Sequence, residues 1–212
     1  FAVGGCVRDS ILARKPQDWD ITTSAKPEAI KEIFRRTVDT GIEHGTVTVM
    51  IGKDSYEVTT YRIDGAYEDS RHPKEVRFTN CLEEDLRRRD FTINAMAWSL
   101  DADSFGELVD PFDGMYDLEE CIIRTPCDPD ITFSDDPLRM MRAVRFASQL
   151  GFTIEEETFD AIRRNAPRIG IVSRERIAAE LNKIVLSPVP SMGFELLELT
   201  GLLERIFPEM HN

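Results

Sequence analysis

Residues 1–23 read FAVGGCVRDSILARKPQDWDITT, and two short β-like runs bracket that stretch. Phe1-Ala2-Val3 predicts a strand ending at Gly4-Gly5, and Asp20-Ile21-Thr22-Thr23 predicts a second one. A glycine pair after a strand lets backbone N–H groups approach a phosphate closely, and Arg8 sets a fork of donors beside them. The same pair also suits an ordinary strand-to-helix turn that needs a positive φ. Asp18-Trp19-Asp20 carries the second signal. Residues i and i+2 of a strand share a face, so these two carboxylates stand side by side. Adjacent anions repel, and a cation between them resolves the conflict. Mg²⁺ fits, because it takes hard oxygen ligands and completes its octahedron with water and substrate phosphates. Glu57, on a later strand, can add a third carboxylate. A solvated turn would also explain Asp18 and Asp20 taken alone. Together, the glycine turn and the paired carboxylates match nucleotidyl transfer, in which metal ions activate a 3′-hydroxyl and neutralise a triphosphate.

Further along, Pro27–Arg36 predicts a helix with Ala29, Ile30 and Ile33 on one side. Thr46–Ile51 and Ser55–Tyr61 predict a hairpin across Gly52-Lys53-Asp54, and Phe91–Trp98 a second helix. From Ser134 the pattern turns helical. Residues 137–150 are apolar nearly all round, and helices are expected over Glu155–Arg164, Ser173–Leu186 and Met192–Phe207. The expected fold class is α/β (α+β): a mixed domain over residues 1–128, then an all-helical one over residues 129–212.

Composition narrows the classes. The 212 residues are 42% hydrophobic and 31% charged, as in ordinary globular proteins. No apolar run approaches the roughly 20 residues that cross a bilayer, so no membrane partner is expected. Cys6, Cys81, Cys121 and Cys127 form no CxxC pair, and His44, His72 and His211 lie far apart. That pattern argues against structural zinc and for a reducing, cytosolic (cytoplasmic) setting. A nucleic-acid binder usually shows a basic footprint, so at a net charge of −13 any RNA contact must be local or lie in further sequence; acidity by itself rules nothing out, because metal-binding carboxylates also make a fold acidic. The chain opens on Phe1, inside an apolar-then-glycine run. The expectation is a fragment that has lost residues at the front and more at the back.

Two arginine-rich segments remain. Arg87-Arg88-Arg89-Asp90 leads directly into the apolar Phe91-Thr92-Ile93-Asn94-Ala95-Met96-Ala97. Arg89 is the choice for a triphosphate contact, with Asp90 orienting it or bonding a ribose hydroxyl. Surface ion pairs with Glu83, Glu84 and Asp85 are the competing explanation. In Ser134-Asp135-Asp136-Pro137-Leu138-Arg139, Ser134 or Asp135 can cap a helix. Arg139, Arg142 and Arg145 then recur every three residues on a helix that is otherwise apolar. Buried arginines need anions, and nucleotide phosphates would serve. Asp136 and Arg139, three apart on one helix face, could address a base edge as acceptor and donor.

In order, Gly4-Gly5-x-x-Arg8-Asp9, Asp18-x-Asp20, Arg88-Arg89-Asp90-Phe91-Thr92-Ile93-Asn94-Ala95-Met96-Ala97, Asp110-Pro111-Phe112-x-Gly114 and Asp135-Asp136-Pro137-Leu138-Arg139 resemble the class II tRNA nucleotidyltransferase and bacterial poly(A) polymerase family. Arg174-Glu175-Arg176-Ile177-x-x-Glu180-Leu181-x-Lys183 resembles that family's further helical motif. The resemblance implies a nucleotidyltransferase head of the DNA polymerase β superfamily followed by a helical neck, with body and tail domains absent. It implies that Asp18 and Asp20 hold Mg²⁺ and that Gly4, Gly5, Arg8, Arg89, Asp90 and Asn94 serve the nucleotide's phosphates and sugar. Asp136 and Arg139 would pair with the base of CTP or ATP, with Arg142 and Arg145 lining the same pocket. One departure shows: the family's neck motif usually opens Glu-Asp, and here it is Asp135-Asp136.

The implied activity is CCA addition, from CTP and ATP, to the 3′ end of tRNA, with release of pyrophosphate. Residues 62–73 look like the loop that CCA-adding relatives need for the final A. A-adding enzymes and poly(A) polymerases share these motifs and remain alternatives. So does a non-catalytic nucleotide- or RNA-binding module, against which intact Asp18, Asp20 and Arg89 speak.

Overall fold

A computed structural model describes residues 1–65 and 76–210 and divides them into two units, one ending at Met115 and the other beginning at Tyr116. The first unit is built on β1 (Ala2–Val3), α1 (Gly5–Ile11), β2 (Asp20–Thr23), α2 (Pro27–Ile33), β3 (Thr37–Gly41), β4 (Thr46–Ile51) and β5 (Asp54–Thr60). It continues through β6 (Arg62–Asp64), β7 (Val76–Phe78), α3 (Leu82–Arg87), β8 (Ala97–Trp98) and β9 (Leu108–Val109). α4 (Gly114–Glu119) starts at its end. The second unit holds β10 (Ile122–Ile123), α5 (Pro129–Asp135), α6 (Leu138–Leu150), β11 (Thr153–Ile154), α7 (Glu156–Asn165), α8 (Arg174–Val185), α9 (Pro190–Leu199) and α10 (Leu203–Ile206). Among the described residues no helix is long and apolar enough to cross a membrane. Part of the expected loop over residues 62–73 lies outside the described residues.

Seven strands of the first unit form one sheet in the order β3-β4-β5-β2-β1-β8-β9. All pairs are antiparallel except β2 with β5, which sets Asp20 directly opposite Glu57. Alternation explains β4: Val47 and Val49 face inward with Val58 of β5 and Ile30 of α2. A second cluster joins Val3, Ala95 and Ala97 to Leu86 of α3, with Phe1, Leu82, Val109 and Phe112 packed around it. The carboxylate strand therefore runs through the middle of the sheet, where the backbone is pinned from both sides.

Four local expectations are corrected. Phe91–Trp98 is not a helix: Thr92–Asn94 makes a single 3₁₀ turn, and Ala97–Trp98 pairs with β1. Residues 91–97 are buried all round, and so short an apolar run has no helical period to separate it from a strand. The helix from Pro27 stops at Ile33, because Phe34 is already extended toward β3. The last helix breaks at Gly201, whose φ of +73° ends α9 before α10 begins. Finally, Ser134 and Asp135 close α5 instead of capping α6. Pro137 holds the N-cap of α6, and Asp136 just ahead of it accepts from Leu138 N through Oδ1 at 3.1 Å. Asp128, which caps α5 through the N–H of Asp130 ahead of Pro129, was the overlooked start signal.

Asp110-Pro111-Phe112-x-Gly114 proves to be a structural brace. Asp110 accepts from the N–H groups of Gly114 and Met115, both at 2.8 Å. A Cβ on Gly114 would drive into the backbone carbonyl of Thr92 and the Met96 side chain. Gly114→Ala should therefore destabilise the protein by about 1–3 kcal/mol, and a thermal melt indistinguishable from wild type would contradict that packing.

Candidate active site

Gly4 is the point on which the first unit's chemistry converges. Its φ of +83° is left-handed backbone that favours glycine, and it turns the chain from β1 into α1. A Cβ there would lie 3.0 Å from Nη1 of Arg89 and 3.9 Å from Oδ2 of Asp20. Glycine thus leaves the space in which an arginine and a carboxylate approach the same backbone. Gly5 follows, and a Cβ on it would lie 3.7 Å from Nη2 of Arg8.

Arg8 is buried and held on two sides. Its Nε and Nη2 donate to Oδ1 of Asp9 at 2.8 and 2.7 Å, and Nη1 donates to Oδ1 of Asn94 at 2.7 Å. Asn94 in turn donates to Oδ1 of Asp90 at 3.0 Å, the same oxygen that accepts from Phe91 N. The Asp90–Asn94–Arg8 chain fixes the guanidinium beside the glycine pair. It also explains why Asp90 and Asn94 sit four residues apart in the arginine motif.

Arg89 is the least satisfied cation of this group. Its Nε is buried without a hydrogen-bond partner among the described residues, and Nη2 stands 3.6 Å from Oδ2 of Asp85. Burial pulls its pKa down, while Asp85, Asp20 and Asp90 pull it back up. An arginine stays protonated in such a setting, so the unmet donor invites an anion.

Asp20 stands in the opposite condition, at the start of β2; Asp18 precedes the strand, so the two do not share a strand face as the i, i+2 spacing predicts. Asp20 has its pKa raised by desolvation, with Arg89 opposing the rise and Asp18 adding to it. Glu57 is raised by desolvation and then by the charges of Asp20 and Asp18. Carboxylates that repel one another this way suit a divalent cation. Among the described residues no three His, Cys, Asp or Glu side chains form a ready metal set, and Glu57 lies directly opposite Asp20 on the neighbouring strand. Two carboxylates with substrate phosphates are the usual Mg²⁺ arrangement, and Asp18 and Asp20 fit it.

In the second unit, Asp136 lies in extended backbone before α6, not on the helix face expected from spacing. Each of its oxygens accepts one hydrogen bond and keeps a further lone pair: Oδ1 from Leu138 N at 3.1 Å and Oδ2 from Nη2 of Arg176 at 2.8 Å. Arg139 sits in the first turn of α6, its N–H bonded to the Asp136 carbonyl. Arg142 and Arg145 both approach the Phe146 ring, at 5.5 and 4.0 Å from its centroid. The anion that buried Arg145 requires comes from the protein: Nε donates to Oε2 of Glu180 at 2.6 Å, and Nη1 to Gln149 at 3.1 Å. The sequence alone suggests nucleotide phosphates for that role. It places Arg176 and Glu180 in a helical motif without a role and offers Asp85 only as a surface ion-pair partner; the structure adds the contacts to Asp136 and Arg145 and buries Asp85 against Arg88 and Arg89. Asp85 was legible in part, since Leu82, Asp85 and Leu86 share one face of α3.

The architecture defines a class: the nucleotidyltransferase fold of the DNA polymerase β type. Residues 1–124 match the poly A polymerase head domain, and residues 151–212 match a probable RNA and SrmB-binding site of polymerase A. A CCA-adding enzyme of Lactobacillus helveticus is 49% identical over 97% of this chain and 51% of its own length. One from Pediococcus pentosaceus is 51% identical, over 96% and 50%. The crystal structure of the Bacillus stearothermophilus CCA-adding enzyme in complex with CTP superposes with a TM-score of 0.86 at 44% identity, covering 95% of this chain and 48% of that one. The Thermotoga maritima CCA-adding enzyme complexed with tRNA gives 0.80 at 29% identity, over 98% and 48%. The chain belongs to the class II tRNA nucleotidyltransferase and poly(A) polymerase family, and it spans about half the length of these relatives.

Proposed function

We propose that this chain is the head and neck of a cytoplasmic, Mg²⁺-dependent enzyme that adds CCA, from CTP and ATP, to the 3′ end of tRNA without a nucleic-acid template. The observation that carries the proposal is the convergence on Gly4 of an under-satisfied arginine and a carboxylate repelled by its neighbour. The names of its relatives, and the CTP and tRNA bound in their structures, support the choice of product.

In this reaction the 3′-hydroxyl of the RNA attacks the α-phosphorus of the nucleotide, a new P–O bond forms, and the bond to the leaving pyrophosphate breaks. Arg89 and Arg8, flanking the Gly4-Gly5 turn, bind the triphosphate and hold it in line. Asp18 and Asp20 would hold Mg²⁺, whose charge would make the hydroxyl a better nucleophile and offset charge on the leaving group. Asp136 and Arg139 read the base, and Arg176 fixes the Asp136 carboxylate for that task. Arg142 lies one turn further along α6, and Arg145 supports the same helix through Glu180. The family models also carry the poly(A) polymerase name, so poly(A) synthesis is the second reading.

Base choice gives the test. With the full-length protein and a tRNA awaiting its next C, Arg139→Ala should narrow the preference for CTP over ATP by about 10–100-fold, since unpaired polar groups in a recognition site are what discriminate. Unchanged preference in that variant would contradict base reading by Arg139.

A further inference from the structure

Asp85 on α3 is fully buried, yet it stands outside the groups assigned to nucleotide or metal. Thr22 Oγ1 donates to its Oδ2 at 3.1 Å, and the N–H of Arg62 donates to its Oδ1 at 3.3 Å. Arg88 donates to Oδ1 through Nε and Nη2, at 3.0 and 2.9 Å. Arg89 presents Nη2 to Oδ2 at 3.6 Å. One carboxylate thus faces two consecutive arginines.

Its placement relative to Asp20 matters most. Thr22 follows Asp20 by two residues on β2, so their side chains share a face of the sheet. Asp85, bonded to Thr22, lies on that same face. Arg89 spans the interval, with Nη2 toward Asp85 and Nη1 beside Gly4, where Oδ2 of Asp20 also approaches. The guanidinium therefore stands between two carboxylates, and Asp85 is the stronger attraction.

We propose that Asp85 is a positioning residue for nucleotide transfer: it holds Arg89 back from Asp20, leaving Asp20 free for a divalent cation and Arg89 free for phosphates. This rests on the function proposed above. Burial alone would raise the Asp85 pKa, but Arg88, Arg89 and the Arg62 N–H keep it below the usual carboxylate range, so the charge is present. Without that charge, Arg89 would neutralise Asp20 and compete with the cation. A purely structural Asp85, tying α3 to β2 through Thr22, would affect stability and leave the metal requirement alone.

Asp85→Asn keeps the side chain's size and an acceptor oxygen while removing the charge. In the full-length protein, its half-saturating Mg²⁺ concentration for CTP incorporation should rise about tenfold, with kcat at saturating Mg²⁺ falling by less than about threefold. Without RNA, calorimetric titration of CTP at limiting Mg²⁺ should show affinity weakened by a similar factor. Thr22→Val, which removes one tether of the carboxylate, should shift both readouts in the same direction by less, and it decides the matter if Asp85→Asn fails to fold. A lowered melting temperature with unchanged Mg²⁺ midpoint and CTP affinity would overturn the proposal. If the wild type incorporates no nucleotide, the function proposed above fails. The titration of CTP and Mg²⁺ against wild type and variant then still decides the role of Asp85.

Discussion

Asp20→Asn is expected to reduce nucleotide incorporation by at least about a thousandfold, the scale on which a metal-ion reaction depends on its ligands, while raising the melting temperature of the metal-free protein. Both effects share one cause. Desolvation and the charge of Asp18 raise the Asp20 pKa, against the pull of Arg89. A carboxyl whose folded pKa exceeds its unfolded value binds its proton more tightly in the native state. Its charge therefore opposes folding above the folded pKa, and that opposition disappears as pH falls below the unfolded value. Asparagine removes the opposition at every pH. Mg²⁺ should accordingly stabilise the wild type by binding the native state and stabilise Asp20→Asn much less. Thermal melts with and without Mg²⁺, alongside an incorporation assay, check both halves. A lower melting temperature for the metal-free variant would contradict the electrostatic cause, and a rate near wild type or undiminished Mg²⁺ stabilisation of the variant would contradict the metal assignment.

Glu180→Ala should have the largest effect on stability. Arg145 and Glu180 are nearly sequestered, with side chains 10% and 5% exposed, and they meet at 2.6 Å. Removing one partner of such a pair strands the other charge and costs about 3–5 kcal/mol. Lys183, the other cation on Glu180, is half exposed and cannot take over for Arg145. The double variant Arg145→Met/Glu180→Leu should recover most of the loss, because an apolar pair of similar volume carries no desolvation penalty. Urea unfolding of the three proteins measures this. A loss under about 1 kcal/mol for Glu180→Ala would fall in the range of surface ion pairs and would contradict a buried one.

The parts of the fold legible in the sequence were those with a clear period or turn. β2, β4, β5 and the stretch 138–150 declared themselves through alternation, glycine turns or an apolar helix. Residues 91–98 did not, because a segment buried on every side shows neither a period of two nor one of 3.6. Site residues divided along a similar line. Gly4, Asp20 and Arg89 stood in local motifs, and the structure brings them together around one backbone position. The partners of Arg145 and Asp136 lie 35 and 40 residues away on α8, and no local pattern reports a contact of that separation. Asp85 was hidden differently. It sits in an acidic run that looks solvated, although the helical face it shares with Leu82 and Leu86 turns it into the core.

The most direct measurement is extension of a tRNA transcript lacking its CCA end by the full-length protein with Mg²⁺, offering CTP, ATP, both or neither. Two additions with CTP alone, and a third only when ATP is also present, are the expected result. An A-only ladder, or no extension under any condition, would contradict the account.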